Sequence, residues 1–66
     1  MLVQSNSNMD AQLTDTIRDV SGKSHTIGQH VTIMKRCETL GREMFLVRFA
    51  DDSRGYVYPY EIQPNN

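Results

Sequence analysis

Three tyrosines near the C-terminal end of the chain, Tyr56, Tyr58 and Tyr60, are the side chains with the clearest potential for binding. In a strand, Tyr56 and Tyr58 project to one face while Val57 projects to the other. If Val57 lies in the core, the tyrosines stand outside as an aromatic ladder. Rigid, amphipathic tyrosines are enriched at binding hot spots, although they can also cover a thin core and leave their hydroxyls in water. The spacing therefore predicts a tyrosine-lined surface that contacts a partner protein or a second copy of the chain.

Basic side chains occur close to this tyrosine-lined strand. Arg48 alternates with the apolar residues of its segment, Arg54 follows in the adjoining turn, and Lys35 comes from an earlier segment. Aromatic side chains interleaved with arginines are typical of surfaces that bind single-stranded nucleic acid, while solvated charges paired with Glu43 or Asp52 are the alternative. The net charge of −1 lacks the basic excess that neutralises phosphates. Nucleic-acid binding is therefore the second hypothesis, and the predicted binding residues are Tyr56, Tyr58, Tyr60, Phe49, Arg48 and Arg54.

Catalysis has little support in the sequence. No nucleophile stands beside a base, no carboxylate pair lies on one element, and no phosphate-binding loop is present. The segment Gly22-Lys23-Ser24 lacks the earlier glycine and the strand–loop–helix setting of such a loop. His25, His30 and Cys37 are too few soft ligands for a four-coordinate zinc, and we expect both histidines at strand ends. We predict a non-catalytic protein without a metal or other cofactor.

The length and cysteine content of the chain indicate its class. Its 66 residues suffice for one small domain, which buries only about 60% of its unfolded surface and is marginally stable. Cys37 is the only cysteine, so no intrachain disulfide supports the fold, and pairing with a second copy is one way to gain stability. The opening segment has neither the basic region nor the apolar stretch of a signal peptide. We expect a cytoplasmic protein without membrane contact.

The segment from residue 10 to residue 20 is compatible with two kinds of secondary structure. Leu13 and Ile17 share a face in a helix and in a strand, because positions four apart do so in both geometries. Several β-branched residues and a turn-like sequence over residues 21–24 favour a strand that is followed by a hairpin. A short helix over residues 10–20 is the alternative to this first strand.

Strand signals are clearer after Gly28. Residues 30–36 alternate, with Val31, Ile33 and Lys35 on one side. Residues 43–49 are apolar on both faces, which predicts a strand in the middle of a small barrel or against a partner. A tight turn over residues 50–55, a strand over 56–58 and a short 3₁₀ turn over 59–61 would then bring Ile62 onto the core. The order predicts an all-β fold, a small five-stranded SH3-like barrel over residues 11–62, between a flexible tail at 1–10 and a tail at 63–66.

The segment FLVRFADDSRGYVYPYEI, residues 45–62, resembles the core hairpin of Tudor-type domains, which are SH3-like barrels. The resemblance implies an aromatic cage that holds methylated lysine or arginine by cation–π attraction. Phe49 matches one wall of that cage, and the turn with Asp51 and Asp52 matches its acidic element. The next wall falls at Gly55, which has no side chain, and no tyrosine or tryptophan precedes Phe45. An incomplete cage is expected, and with it no recognition of methyl-lysine.

A weaker resemblance links Gly55-Tyr56-Val57-Tyr58-Pro59 to the plasmid-encoded type II dihydrofolate reductases. Those proteins are short SH3-like barrels that assemble around a central pore, and their Val-Gln-Ile-Tyr-Pro segment is similar to this one. Tyr58 and Pro59 match, but Tyr56 stands where the family has the pore glutamine. The resemblance implies an oligomeric reductase, and the tyrosine would crowd its pore, so this remains a remote alternative.

Overall fold

A computed structural model describes residues 9–64 of the chain. The described residues form seven strands and one 3₁₀ turn: β1 Met9–Leu13, β2 Ile17–Arg18, β3 Ser24–His25, β4 His30–Thr39, β5 Arg42–Phe49, β6 Arg54–Val57, the 3₁₀ turn Pro59–Glu61, and β7 Ile62–Pro64. The predicted all-β class is confirmed. The segment over residues 10–20 contains two strands, β1 and β2, rather than the alternative helix, and β2 forms a hairpin with β3.

The main sheet has five antiparallel strands in the order β6-β5-β4-β1-β7, and β2 and β3 form a second, two-stranded sheet. The sheet ends at β6 on one side and at β7 on the other, so within residues 9–64 it is not closed into a barrel. The long hairpin of β4 and β5 is joined by Leu40 and Gly41, both of which have positive φ angles (53° and 77°). Two such residues match the twist of the two strands, which is why the hairpin needs no longer loop.

The core lies on one face of the curved sheet. Val47 and Phe49 of β5 are buried, and β5 pairs with β4 on one side and β6 on the other, so this doubly apolar segment is an internal strand of an open sheet rather than of a barrel. Ile62 is buried directly after the 3₁₀ turn, as predicted. The complete buried apolar set is Ala11, Leu13, Ile17, Val31, Ile33, Val47, Phe49, Val57 and Ile62.

Three details of the predicted strands differ in the structure. Lys35 is exposed and does not share the buried face of Val31 and Ile33 as predicted, because the pairing of β4 with β5 shifts its register between Ile33 and Lys35. β6 begins at Arg54, inside the predicted turn, and ends at Val57, so Tyr58 lies outside the strand. The sheet also extends beyond residues 11–62, because β1 begins at Met9 and β7 ends at Pro64. The remaining tail residues, 1–8 and 65–66, lie outside the described residues.

Candidate functional site

The outer face of the sheet, opposite the core, brings several predicted binding residues together. Gly55 and Val57 of β6 are buried. Because side chains alternate along a strand, Arg54 and Tyr56 project outwards. Arg54 lies directly opposite Arg48 of β5, and Tyr56 lies directly opposite Leu46. We call Leu46, Arg48, Arg54 and Tyr56 the outer face; Lys35, which pairs with Leu46 from the other side, lies at its border.

Two like charges adjoin each other on this face without a carboxylate partner. Directly opposite cations on neighbouring strands repel each other and destabilise the pairing. Among the described residues the ion pairs are Lys23–Asp51 and Arg36–Glu43, and Asp19 is hydrogen-bonded to His25; none of these contacts includes Arg48 or Arg54. The arginines are therefore not neutralised by Glu43 or Asp52, and the outer face of residues 9–64 carries a local positive charge in a chain whose net charge is −1.

The three tyrosines form two groups rather than one ladder. Tyr56 remains in β6 with half of its surface exposed (50%), beside Arg54. Tyr58 lies at the start of the 3₁₀ turn and stacks on Tyr60, with ring centroids 5.3 Å apart and the planes inclined by 4°. The backbone N–H of Tyr58 donates to Glu61 Oε1 at 2.8 Å, which fixes this turn. Tyr56 is thus the tyrosine that shares a strand face with the arginines.

Phe49, a predicted binding residue, belongs to the core. Its side chain is 2% exposed, and its ring stacks on His25 with centroids 3.8 Å apart and an interplanar angle of 9°. Gly55 of β6 is so close to this ring that a Cβ atom there would lie 3.1 Å from Phe49 Cε2. The ring is enclosed by the domain itself and is not available to a ligand on the surface.

A buried polar cluster beneath β6 was not identified from the sequence. Asp19 and His25 are both buried, and Asp19 Oδ2 lies 2.8 Å from His25 Nε2. The other ring nitrogen, Nδ1, lies 2.7 Å from Gln29 Oε1. Asp19 Oδ1 also accepts hydrogen bonds from the backbone N–H and the hydroxyl of Ser21, at 2.9 and 2.6 Å, and from the backbone N–H of Lys23 at 3.0 Å. An aspartate followed two residues later by serine is a turn signal that could have indicated this arrangement.

Hydrogen bonding keeps this aspartate ionised. The hydroxyl of Ser21 and then the ring of His25 hold the pKa of Asp19 well below its usual range, against the opposing effect of desolvation. The pKa of Asp51 is lowered as well, first by the ammonium of Lys23 at 2.8 Å and then by Ser53. Both carboxylates therefore carry their charges in the folded protein over the ordinary pH range.

The geometry of the cluster is not that of a nucleophile activated through a histidine. Ser53 Oγ lies 3.4 Å from His25 Nε2, the same nitrogen that Asp19 contacts. In a catalytic triad the acid and the nucleophile contact opposite ring nitrogens. Ligand atoms of Asp19, His25 and Asp51 lie within 4.8 Å of one another, yet Asp51 is already paired with Lys23 and Asp19 with its three hydrogen-bond donor groups. The cluster joins the β2–β3 hairpin to the turn between β5 and β6, through the His25–Ser53 and Lys23–Asp51 contacts.

The histidines are placed as the sequence predicts, at strand ends: His25 ends β3 and His30 begins β4. Residues 9–64 include no helix of the length and apolar character that crossing a membrane requires. Comparisons of the chain with protein-family models, with curated proteins and with solved structures find no match.

Proposed function

We propose that this chain is a small, non-catalytic binding module that contacts an acidic surface of another protein through its outer face. The observation that carries the proposal is the pair of directly opposed arginines, Arg48 and Arg54, which lack a carboxylate partner within residues 9–64 and adjoin the exposed ring of Tyr56. Tyrosine and arginine are the side chains most enriched at protein-binding hot spots.

The electrostatics of the pair support a partner of opposite charge. In the free protein, the two guanidinium groups repel each other across the β5–β6 ladder. A carboxylate placed between them would convert that repulsion into two charge-assisted hydrogen bonds, which are stronger than neutral ones. The apolar side chain of Leu46 and the ring of Tyr56 would supply the desolvated part of the contact.

The same charges argue against a dimer that is centred on this face. A two-fold axis there would place each arginine pair against its own copy and bring four cations together. Self-association, which the small size of the chain favours, would therefore use another surface. We accordingly propose a different protein, rather than a second copy, as the partner of the outer face.

Single-stranded nucleic acid is the second candidate ligand. Tyr56 lies on the same strand face as Arg54 and close to Arg48 on the neighbouring strand. Its ring could stack on a base while the two arginines bind phosphates. The overall charge of −1 provides no long-range attraction for a polyanion, so the protein partner is preferred. The resemblances to Tudor-type domains and to type II dihydrofolate reductases remain analogies, and the buried Phe49 ring gives methyl-lysine recognition no support.

The absence of catalysis and a cytoplasmic location are also proposals. The first is supported by the contact of both Asp19 and Ser53 with one nitrogen of His25. The second is supported by the unpaired, half-buried Cys37, which suits a reducing compartment.

A titration followed by NMR tests the proposed function. The ¹⁵N-labelled chain is titrated at low salt with hexaglutamate and, separately, with an oligothymidylate. We expect hexaglutamate to shift the amide resonances of Arg54 and Tyr56, and we expect added salt to reverse the shifts. Arg54→Ala and Tyr56→Ala should each weaken binding about fivefold, as side chains at an interface do. Arg42→Ala, which removes a basic residue next to the β4–β5 turn, serves as the matched control.

Several results would reject the proposal. Hexaglutamate that leaves the outer-face resonances unchanged, or that binds Arg42→Ala as weakly as Arg54→Ala, removes its basis. Tighter binding of the oligothymidylate at the same residues, with a strong salt dependence, would replace the protein partner by nucleic acid. Sedimentation of the free chain and of Tyr56→Ala at increasing concentration tests whether the outer face instead joins two copies.

A further inference from the structure

Within residues 9–64, an apolar groove of about 640 Å³ lies beside the core residues Ile33 and Ile62. Its volume is within the range of about 300–1,000 Å³ that is usual for ligand sites. The apolar walls come from β1, β4, β5, the 3₁₀ turn and β7, and the side chains that form them include Met9, Met34, Phe45, Pro59, Ile62 and Pro64. Arg48, Arg54 and Tyr56 do not line it, so it is separate from the outer face.

Cationic side chains border this apolar groove. Lys35 and Arg36 line it next to Met34, at the register shift in β4. Lys35 is in no ion pair among the described residues, and the contact of Arg36 with Glu43 is long, at 3.5 Å between exposed side chains. An apolar floor beside the free ammonium of Lys35 and the loosely paired guanidinium of Arg36 is complementary to a ligand that combines apolar groups with carboxylates.

The exposure of the walls indicates a trough rather than an enclosed cavity. Met9 keeps 48% of its surface exposed, and Pro59 and Pro64 are exposed as well, while Phe45 is half-buried and Ile62 forms part of the buried floor. An occupant therefore keeps one side in water. An extended peptide has this character, because alternate side chains face opposite directions, whereas an alkyl chain gains most when it is fully enclosed.

We propose that the groove is a second docking site, which binds an extended segment of a partner protein in which apolar residues alternate with Asp or Glu. The apolar side chains enter the groove, and the carboxylates meet Lys35 and Arg36 at its border. Methionine side chains are flexible and polarisable, so Met9 and Met34 can adapt to apolar side chains of different shape. The two prolines, Pro59 and Pro64, have a fixed φ angle and provide a rigid part of the wall.

The test uses the full chain and an acetylated peptide of alternating leucine and glutamate. We expect saturable shifts of the amide resonances of Met9, Met34 and Ile62, and these shifts should persist in Arg54→Ala, which weakens binding at the outer face. A peptide with glutamine in place of glutamate should bind about tenfold more weakly, because it lacks the charges. Met9→Ser and Arg36→Ala should each raise the Kd about fivefold.

Matched variants separate the groove from general surface effects. Leu40→Ser removes an exposed apolar side chain and Arg42→Ala a basic one, both at the end of the β4–β5 hairpin and outside the groove. Both should leave the Kd within about twofold of the original chain, as distant surface changes do. Circular dichroism of every variant verifies that the sheet is retained, so that lost binding is not lost folding.

Each competing occupant of the groove gives a distinct result that would overturn the proposal. Decanoate that shifts the groove resonances when the peptide does not would assign the groove to a lipid chain. Peptide binding that appears only after Leu2→Ser and Val3→Ser would assign it to the chain's own N-terminal segment. Concentration-dependent groove shifts of the free protein would assign it to a second copy. Equal binding of the glutamine peptide would exclude the role of Lys35 and Arg36. Binding at the outer face is measured by the resonances of Arg54 and Tyr56, and binding in the groove by those of Met9, Met34 and Ile62. The absence of binding at one site is therefore distinguishable from its absence at the other.

Discussion

Replacement of Gly55 by alanine should destabilise the domain, although the added methyl group is small. The new Cβ would lie 3.1 Å from Phe49 Cε2 and 3.2 Å from the Cα of Asp19. Ordinary van der Waals contact between carbons is about 3.5–4.0 Å, so at least one neighbour has to move. The Asp19 atom belongs to the backbone, and the Phe49 ring is stacked on the His25 ring, with centroids 3.8 Å apart. Neither neighbour can yield freely.

The size of the effect follows from these contacts. Overpacking of a filled core by one carbon costs about 1–3 kcal/mol. The lower backbone entropy of alanine in the unfolded chain offsets about 0.5–1 kcal/mol of this. We expect a net loss of about 1–2 kcal/mol, which for a domain of this size lowers Tm by roughly 4–16 °C. That is a large share of the few kcal/mol by which a small domain is stable.

Urea unfolding followed by circular dichroism measures the free energy of unfolding of Gly55→Ala. The control is a double-mutant cycle with Phe49→Leu, whose smaller side chain vacates the ring position that the new methyl group approaches. We expect Gly55→Ala to cost less in the Phe49→Leu background than alone, because one of the two close contacts is absent. A single variant within about 0.5 kcal/mol of the original chain, or a cycle without coupling, would refute the packing of Gly55 between Asp19 and Phe49.

Two further predictions concern charges. The pKa values of Asp19 and Asp51 are lowered on folding, so their contribution to stability is complete above the ordinary carboxylate pKa of about 3.9 and is lost as pH falls below it. We therefore expect Tm to fall as the pH is lowered from 5 towards 2, and we expect this fall to be smaller in Asp19→Asn. If Tm of Asp19→Asn falls as much as that of the original chain, the lowered pKa of Asp19 does not contribute to stability. Glu38 and Glu43 lie directly opposite each other on β4 and β5. Glu38→Lys should raise the free energy of unfolding by about 0.2–1 kcal/mol at low salt and by less at high salt. An increase that is independent of the salt concentration would contradict a charge effect.

Much of the fold follows from local patterns in the sequence. The alternation over residues 30–36, the doubly apolar segment 43–49 and the turn before β6 predict three strands that the structure contains. The 3₁₀ turn at Pro59 follows from the missing N–H of proline, and it places Ile62 in the core as expected. These features depend on neighbours in the chain, which is why the sequence reveals them.

Features that depend on distant contacts were not accessible in this way. The register shift beside Met34 turns Lys35 out of the buried row, and nothing in the local pattern of β4 requires it. The resemblance to Tudor-type domains made Phe49 a wall of a binding cage, but in the structure its ring stacks on His25, which lies 24 positions earlier in the β2–β3 hairpin. Pairing of buried polar residues across the domain has no periodic signature, so the Asp19–His25 contact became visible only in three dimensions.

The buried cluster and the outer face are parts of one arrangement, because they lie on the two sides of β6. The backbone N–H of Val20, next to Asp19, donates to the carbonyl of Arg54 at 3.0 Å. Gly55, between the two outward residues of β6, rests on Phe49 and on the backbone of Asp19. The polar cluster therefore fixes the strand that presents Arg54 and Tyr56, and it does so without contacting a ligand itself. It follows that Gly55→Ala should weaken hexaglutamate binding as well as stability.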